Sequence, residues 1–278
     1  MGRFAWRSAC GLMLAVCGLL SAVLGSMPTA LAAGGRPSGV PVSHSAWSSL
    51  LRQHVRPSPD GVNRVDYARW KATGVTRLRG YIAMLDRAAP SRMASRAQMA
   101  FWINLYNAKT AEIVLARYPV ASIKDINLPA PDGKPADGPW KAHVLVVEGK
   151  PLSLDDVENA ILRPRFKDAR IHYALNCLSI GCPNLLPEVY EPERLDRQLD
   201  RAATAFVNHP RGITIRPGRI EASSIYDWFK DDFGGARGVL AHMSRYAKPE
   251  LRRRLALIER IDAFDYDWRL NDIASTGR

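Results

Sequence analysis

"AQMAFWINLYNAKTAEIVLARY", residues 97–118, is apolar almost all the way round at helical spacing. Met99, Trp102, Ile103, Tyr106, Ile113 and Val114 make one stripe, and Phe101, Leu105, Ala108 and Leu115 occupy the other side. A helix without a polar face offers nothing to water, so it belongs in the interior with other elements wrapped around it. Ser95 with Gln98 reads as a capping box at its start, and Pro119 closes its end. Asn104 and Asn107 are then amides inside the protein, about 60° apart around the axis. A buried amide left unbonded costs about 1 to 3 kcal/mol, so both must be satisfied. They either brace a loop such as 120–141 or orient a substrate or a histidine.

Working outward, residues 45–56 read as a short amphipathic helix, 57–61 as a turn and 65–88 as mostly helical. Downstream, 120–141 is a Pro/Gly-rich irregular loop and "HVLVVEG" (143–149) a strand. "SLDDVENAILR" (153–163) opens a helix with Ser153 as cap and Asp155 and Asp156 in its first turn, where the dipole favours negative charge. "ARIHYALN" (169–176) alternates like a strand, 191–209 is a helix stopped by Pro210, and "ITIRPGRIEA" (213–222) is a hairpin around Pro217 and Gly218. "SSIYDWFKDDFGG" (223–235) reads as a capped helix, followed by one arginine-rich helix from about Val239 to Ile261. The sum is an α+β fold, a helix-rich single domain over 46–272 with a small, mostly antiparallel sheet of non-sequentially paired strands.

The ends bear on location. Arg3 and Arg7, an apolar run from Leu12 to Leu24 and the Ala30-Leu31-Ala32 cleavage pattern make residues 1–32 a secretory signal peptide, with 33–45 a linker. An exported protein, periplasmic or extracellular, is therefore expected, with no transmembrane segment after cleavage. Cys10 and Cys17 would leave with the leader, so Cys177 and Cys182 remain of four cysteines. The net charge of +12 points to an anionic envelope component as partner, with Arg252, Arg253 and Arg254 as the candidate contact. Nucleic acid is not expected, because no recognition motif accompanies the charge. No cofactor is implied, and no metal: Cys177, Cys182 and His172 lack ligand spacing, while Asp227, Asp231 and Asp232 are explained by capping and ion pairing.

"RIHYALNCLSIGCPNL" (170–185) carries the chemistry, and two readings stay open. In one, Cys177 is a nucleophile with His172 as base and Asn104 or Asn107 orienting. On a strand His172 and Asn176 share a face about 13 Å apart, so the chain must fold back at 179–181, or His143 or His242 must serve instead. In the other, Cys177 and Cys182 form a disulfide across four residues, stabilising by about 2 kcal/mol, which an exported chain favours.

"AFWINLYNA", "KPLSLDDVENAILR", "RIHYALNCLSIGCPNL", "SSIYDWFKDDFG" and "YDWRLN" together resemble, in order from about Trp47 to Asn271, the family called domain of unknown function 547, known among exported bacterial proteins. The family's usual pattern has an aliphatic residue where Lys109 stands and a histidine where Asn159 stands. The resemblance implies no reaction. A buried helix followed by strands bearing a histidine is also similar to papain-like and transglutaminase-like cores, although there the nucleophile heads the helix and residues 95–107 hold no cysteine. The resulting expectation is a non-catalytic envelope binding or assembly module stapled by Cys177–Cys182; the alternative is a thiol-dependent acyl-transfer hydrolase of amides or esters.

Overall fold

A computed structural model describes residues 42–134 and 137–274; the expected signal peptide and all but the end of the expected linker lie outside them. In chain order come α1 (Ser45–His54), β1 (Val55–Arg56), β2 (Arg64–Val65), α2 (Tyr67–Thr73), α3 (Val75–Asp86), α4 (Ser95–Arg117), β3 (Leu145–Val147), β4 (Lys150–Leu152) and a π-helix (Asp156–Leu162). Then follow α5 (Arg163–Phe166), α6 (Leu195–Val207), β5 (Ile213–Arg216), β6 (Arg219–Ser223), α7 (Ile225–Trp228), α8 (Gly235–Tyr246), α9 (Pro249–Leu255) and β7 (Ala263–Asp265). The fold is α+β and helix-rich. Its strands make three small sheets: the antiparallel pairs β1–β2 and β3–β4, and the β5–β6 hairpin joined in parallel by β7. Only β7 skips intervening elements, so the strands pair with their sequence neighbours far more than expected.

Helix α4 is the interior element that its all-round apolar sequence demands: its side chains from Gln98 to Ala108 are all buried. It lies in a core with α1 to α3 and the π-helix; a second core gathers around α6 and α8, with Tyr173, Phe206, Tyr226 and Met243 at its centre. The expected capping box is not made. Ala94 is the N-cap, and Gln98 reaches back instead to the carbonyl of Met93 at 3.1 Å.

Two further expectations give way to local chemistry. Residues 169–176 are not a strand; Asp168 accepts the Arg170 amide at 3.0 Å and starts a 3₁₀ helix, Ala169–Tyr173. The Arg170 guanidinium pins that turn to α6 through Asp196 and Asp200. The alternating apolar residues serve two cores rather than one sheet face, Ile171 entering the first and Tyr173 the second. The arginine-rich helix is split at extended Ala247 and Lys248, with Pro249 opening α9, because proline has no N–H to continue α8. Among the described residues no helix is long and apolar enough to cross a membrane.

Asn104 shows how α4 holds irregular chain in place. Its Nδ2 donates to the Tyr190 carbonyl at 2.8 Å and its Oδ1 accepts the Tyr190 amide at 3.1 Å, so the braced loop is around 190 rather than 120–141. Asn104→Ala leaves both buried backbone groups unpaired and should cost about 1 to 3 kcal/mol in urea denaturation; an unchanged midpoint would contradict the brace.

Candidate functional site

The loop that carries the cysteines is held from below and from the side. From below, Asn107 on α4 donates to the Ala174 carbonyl at 2.9 Å and accepts the Asn176 amide at 2.9 Å. Asn176 in turn accepts the Leu178 amide at 2.7 Å and donates to the Pro183 carbonyl. Between the thiol and Ser179, buried Leu178 sits at φ +62°, a left-handed conformation costing a bulky side chain on the order of 1 kcal/mol or more. From the side, the C-terminal segment lies along the loop: Ile180 donates to Arg269, Gly181 to Asp267, and Asn271 to Leu178, at 2.8 to 3.0 Å. A Cβ on Gly181 would sit 2.8 Å from the Asp267 nitrogen, so glycine is required for that approach. The same segment brings Tyr266 and Trp268 to the cysteines.

Both thiols are free, and the expected Cys177–Cys182 bond is not formed in the structure. Instead the Cys182 sulfur accepts the backbone amide of Cys177 at 2.9 Å and the Tyr266 hydroxyl at 3.1 Å. Burial raises its pKa. Hydrogen bonds from the Cys177 thiol, from Tyr266 and from the amides of Cys177 and Ser179 outweigh that and bring it from 9.0 down to about 7. Cys177 keeps its proton, because burial and the neighbouring Cys182 sulfur push its pKa well up. Tyr266 also stays a donor, since burial and the two sulfurs raise its hydroxyl. Behind the pair Arg211 is fixed to Ile180 and Asn184 at 3.0 and 2.7 Å and adds a cation in reach of Cys182. The acidified sulfur is thus Cys182, where the sequence reading had favoured Cys177.

His172 belongs to a separate charge chain. Its Nε2 lies 2.7 Å from Asp232 and its Nδ1 3.5 Å from Glu158, in ion-pair range but long for a hydrogen bond. Asp232 also takes a two-point contact from Arg163 at 2.5 and 3.1 Å. Burial works against charge on His172, yet Asp232 and Glu158 together raise its pKa above 6.5. The His172 hydrogen bond and then Arg163 hold the Asp232 carboxyl well below its usual range. With both ring nitrogens turned to carboxylates, His172 is not the base of Cys177. His143 stands 3.9 Å from Asp156 and His242 packs on Tyr173, so neither replaces it.

Both assemblies open on one cavity of about 190 Å³. Its lining includes Cys177, Cys182 and Pro183 from the cysteine loop, Asp155, Glu158 and Asn159 from the start of the π-helix, and His172. Ser153 and Asp156 cap that helix reciprocally, the serine amide and hydroxyl donating to the carboxylate at 2.8 and 2.7 Å. The expected α-helix is therefore a π-helix here, a rare form that recurs at functional sites. The rest of the lining is mainly aromatic, from Tyr106, Trp140, Trp228, Phe229, Tyr266 and Trp268, with Leu175 and Ile225 beside them. Asn104 and Asn107 do not line the cavity, nor do Arg252, Arg253 and Arg254, which are exposed on α9. A larger groove of about 910 Å³ near the starts of α1 and α4 contains neither thiol nor His172.

Residues 90–207 match the model of the family described as protein of unknown function, DUF547. Over that stretch the chain belongs to the DUF547 family. No curated protein and no solved structure matches it. The DUF547 stretch contains Glu158, His172 and both cysteines, but Asp232, Trp228, Tyr266 and Trp268 lie beyond it, so the cavity is completed by the following chain. Asn159, the position at which the resemblance led to the expectation of a histidine, lines the cavity and accepts from Arg163 at 2.8 Å. Glu158, Asp232, Tyr266 and the tryptophans were not among the sequence candidates. Asp232 had been explained as an ion-pairing residue near a helix end, and its spacing of 60 residues from His172 carries no local signal.

The raised His172 pKa fixes a sign. Below 6.5 both folded and unfolded states are protonated and the ion pairs contribute in full; as pH rises through the higher folded value that contribution is lost. The His172 ring resonances should therefore titrate above 6.5 in NMR, and the stability difference between wild type and His172→Gln should shrink with rising pH. Titration of His172 below 6.5 would contradict the clamp.

Proposed function

We propose that the chain is a thiol-dependent acyl-transfer hydrolase acting on an amide or ester, with Cys182 as nucleophile. One observation carries this: an acidified sulfur and a carboxylate-flanked histidine open on the same small, largely aromatic cavity. A thiolate attacks carbonyl carbon far better than a thiol does. The Cys182 sulfur bonds to the carbonyl carbon, the carbonyl π electrons move to oxygen, and the Tyr266 hydroxyl, freed from the sulfur, donates to that oxygen. As the bond to the leaving nitrogen or oxygen breaks, the leaving group takes the proton held by Cys177. Water then attacks the thioester, Glu158 takes one of its protons, and the Cys182 thiolate leaves. The proton passes from Glu158 to Cys177 and restores the pair. Asp232, Arg163 and His172 position Glu158 rather than react.

The leader-like stretch 1–32 supports placing this activity in the cell envelope. The adjacency of the two sulfurs favours a second reading, a binding or assembly module in which exchange with an external disulfide closes Cys177–Cys182. Protein prepared under reducing conditions, offered a panel of activated esters and amides, separates the two. Cys182→Ser should lose at least about a hundredfold in kcat/KM and the acyl adduct seen by intact mass. Full activity in Cys182→Ser would sink the hydrolase. No turnover, with an intact mass short of both thiol hydrogens once the reductant is removed and an external disulfide is supplied, would favour the module.

A further inference from the structure

The chain carries a net charge of +12, yet among the described residues no lysine or arginine lines the cavity. The basic residue there, His172, is already set between Asp232 and Glu158. Against it stand the carboxylates Asp155 and Glu158, one helical turn apart on the same rim. The other carboxylates nearby are committed: on the same segment Asp156 to Ser153 and Glu158 to His172, and beyond α7 Asp232 to His172 and Arg163. Among the described residues the Asp155 side chain has no hydrogen bond or ion pair, and its backbone amide is spent on the Trp140 carbonyl at 3.0 Å. Burial and then Glu158 disfavour its ionised form, while exposed Lys141 only partly offsets them. A ligand bringing positive charge relieves that repulsion.

The aromatic part of the lining suits the same charge. Trp228, Tyr266 and Trp268 touch one another with ring centres 4.6 to 5.6 Å apart, and Trp140 meets Trp268 at 5.6 Å. Trp228 is 47% exposed, a large apolar surface left open at the cavity. Aromatic faces attract cations, and Lys124 already lies 5.3 Å over the Trp268 ring. About 190 Å³ admits one small group at a chain end, not a polymer.

We infer that the cavity takes a substrate whose acyl portion carries an ammonium group, held between the Asp155 carboxylate and the tryptophan wall while its carbonyl faces the cysteines. The substrate class rests on the hydrolase reading; the ammonium site has its own binding readout. The full chain is offered three activated esters that differ only at one nitrogen: free ammonium, N-acetylated and N-succinylated. Tryptophan fluorescence is followed in parallel with tetramethylammonium and with glucose as probes.

The ammonium ester should exceed the acetylated one by about tenfold in kcat/KM, with the succinylated one slowest, and the gap should narrow in Asp155→Asn and at high salt. Equal turnover of the three esters, or preference for the anionic one, would overturn the ammonium site and leave the hydrolase standing. Quenching by tetramethylammonium that is lost in Asp155→Asn, with no ester turned over, would overturn the hydrolase and keep the site. Quenching by glucose alone, independent of salt, would overturn it in favour of a sugar.

Discussion

The Asn107 amide bridges the rigid and the reactive parts of this molecule. It sits on a helix that is enclosed along nearly its whole length, and it grips the chain three residues before Cys177 and again one residue before it. Once Ala174 and Asn176 are fixed, the Asn176 side chain imposes the turn at Leu178, and the turn aims the Cys177 amide at the Cys182 sulfur. Backbone strain at Leu178 is tolerated because hydrogen bonds from both sides over-determine it. An amide read as either structural brace or catalytic group is therefore a brace whose load is the site itself.

Charge is arranged in two separate circuits around one cavity. In the first, burial alone would keep both thiols protonated; converging donors reverse that at Cys182 and leave it at Cys177. In the second, burial alone would keep His172 neutral; Asp232 and Glu158 reverse it, and Arg163 balances Asp232 from outside. Neither circuit borrows a residue from the other. A cysteine and a histidine close in sequence thus work apart, the sulfur made more acidic by converging hydrogen-bond donors and the imidazole made more basic by carboxylates.

Much of the fold was legible because it rests on local pattern: the all-round apolar 97–118, the Pro217–Gly218 hairpin and the Ser153 cap each declare themselves within a few residues. Misreadings arose where one short segment serves two masters. Residues 169–176 alternate like a strand because Ile171 and Tyr173 enter different cores, not because they share a sheet face. Of the site, both cysteines and His172 were found, while their partners were not. Asp232 lies 60 residues and Tyr266 more than 80 residues from what they touch, and no spacing rule spans such distances. The carboxyl-terminal "YDWRLN" carried no local signal of its place; its backbone pairing with the cysteine loop is what brings Tyr266 and Trp268 to the cavity.

Everything proposed for the chemistry depends on one sulfur being ionised near neutrality inside a buried pocket. Thiolate ultraviolet absorbance followed against pH in the reduced protein measures that directly. One sulfur should ionise with a midpoint near 7, the signal should vanish in Cys182→Ser, and the second sulfur should resist ionisation well past the ordinary thiol range. Two sulfurs ionising together at about 8.5 or above, as free thiols do, would contradict the cradle and the nucleophile with it.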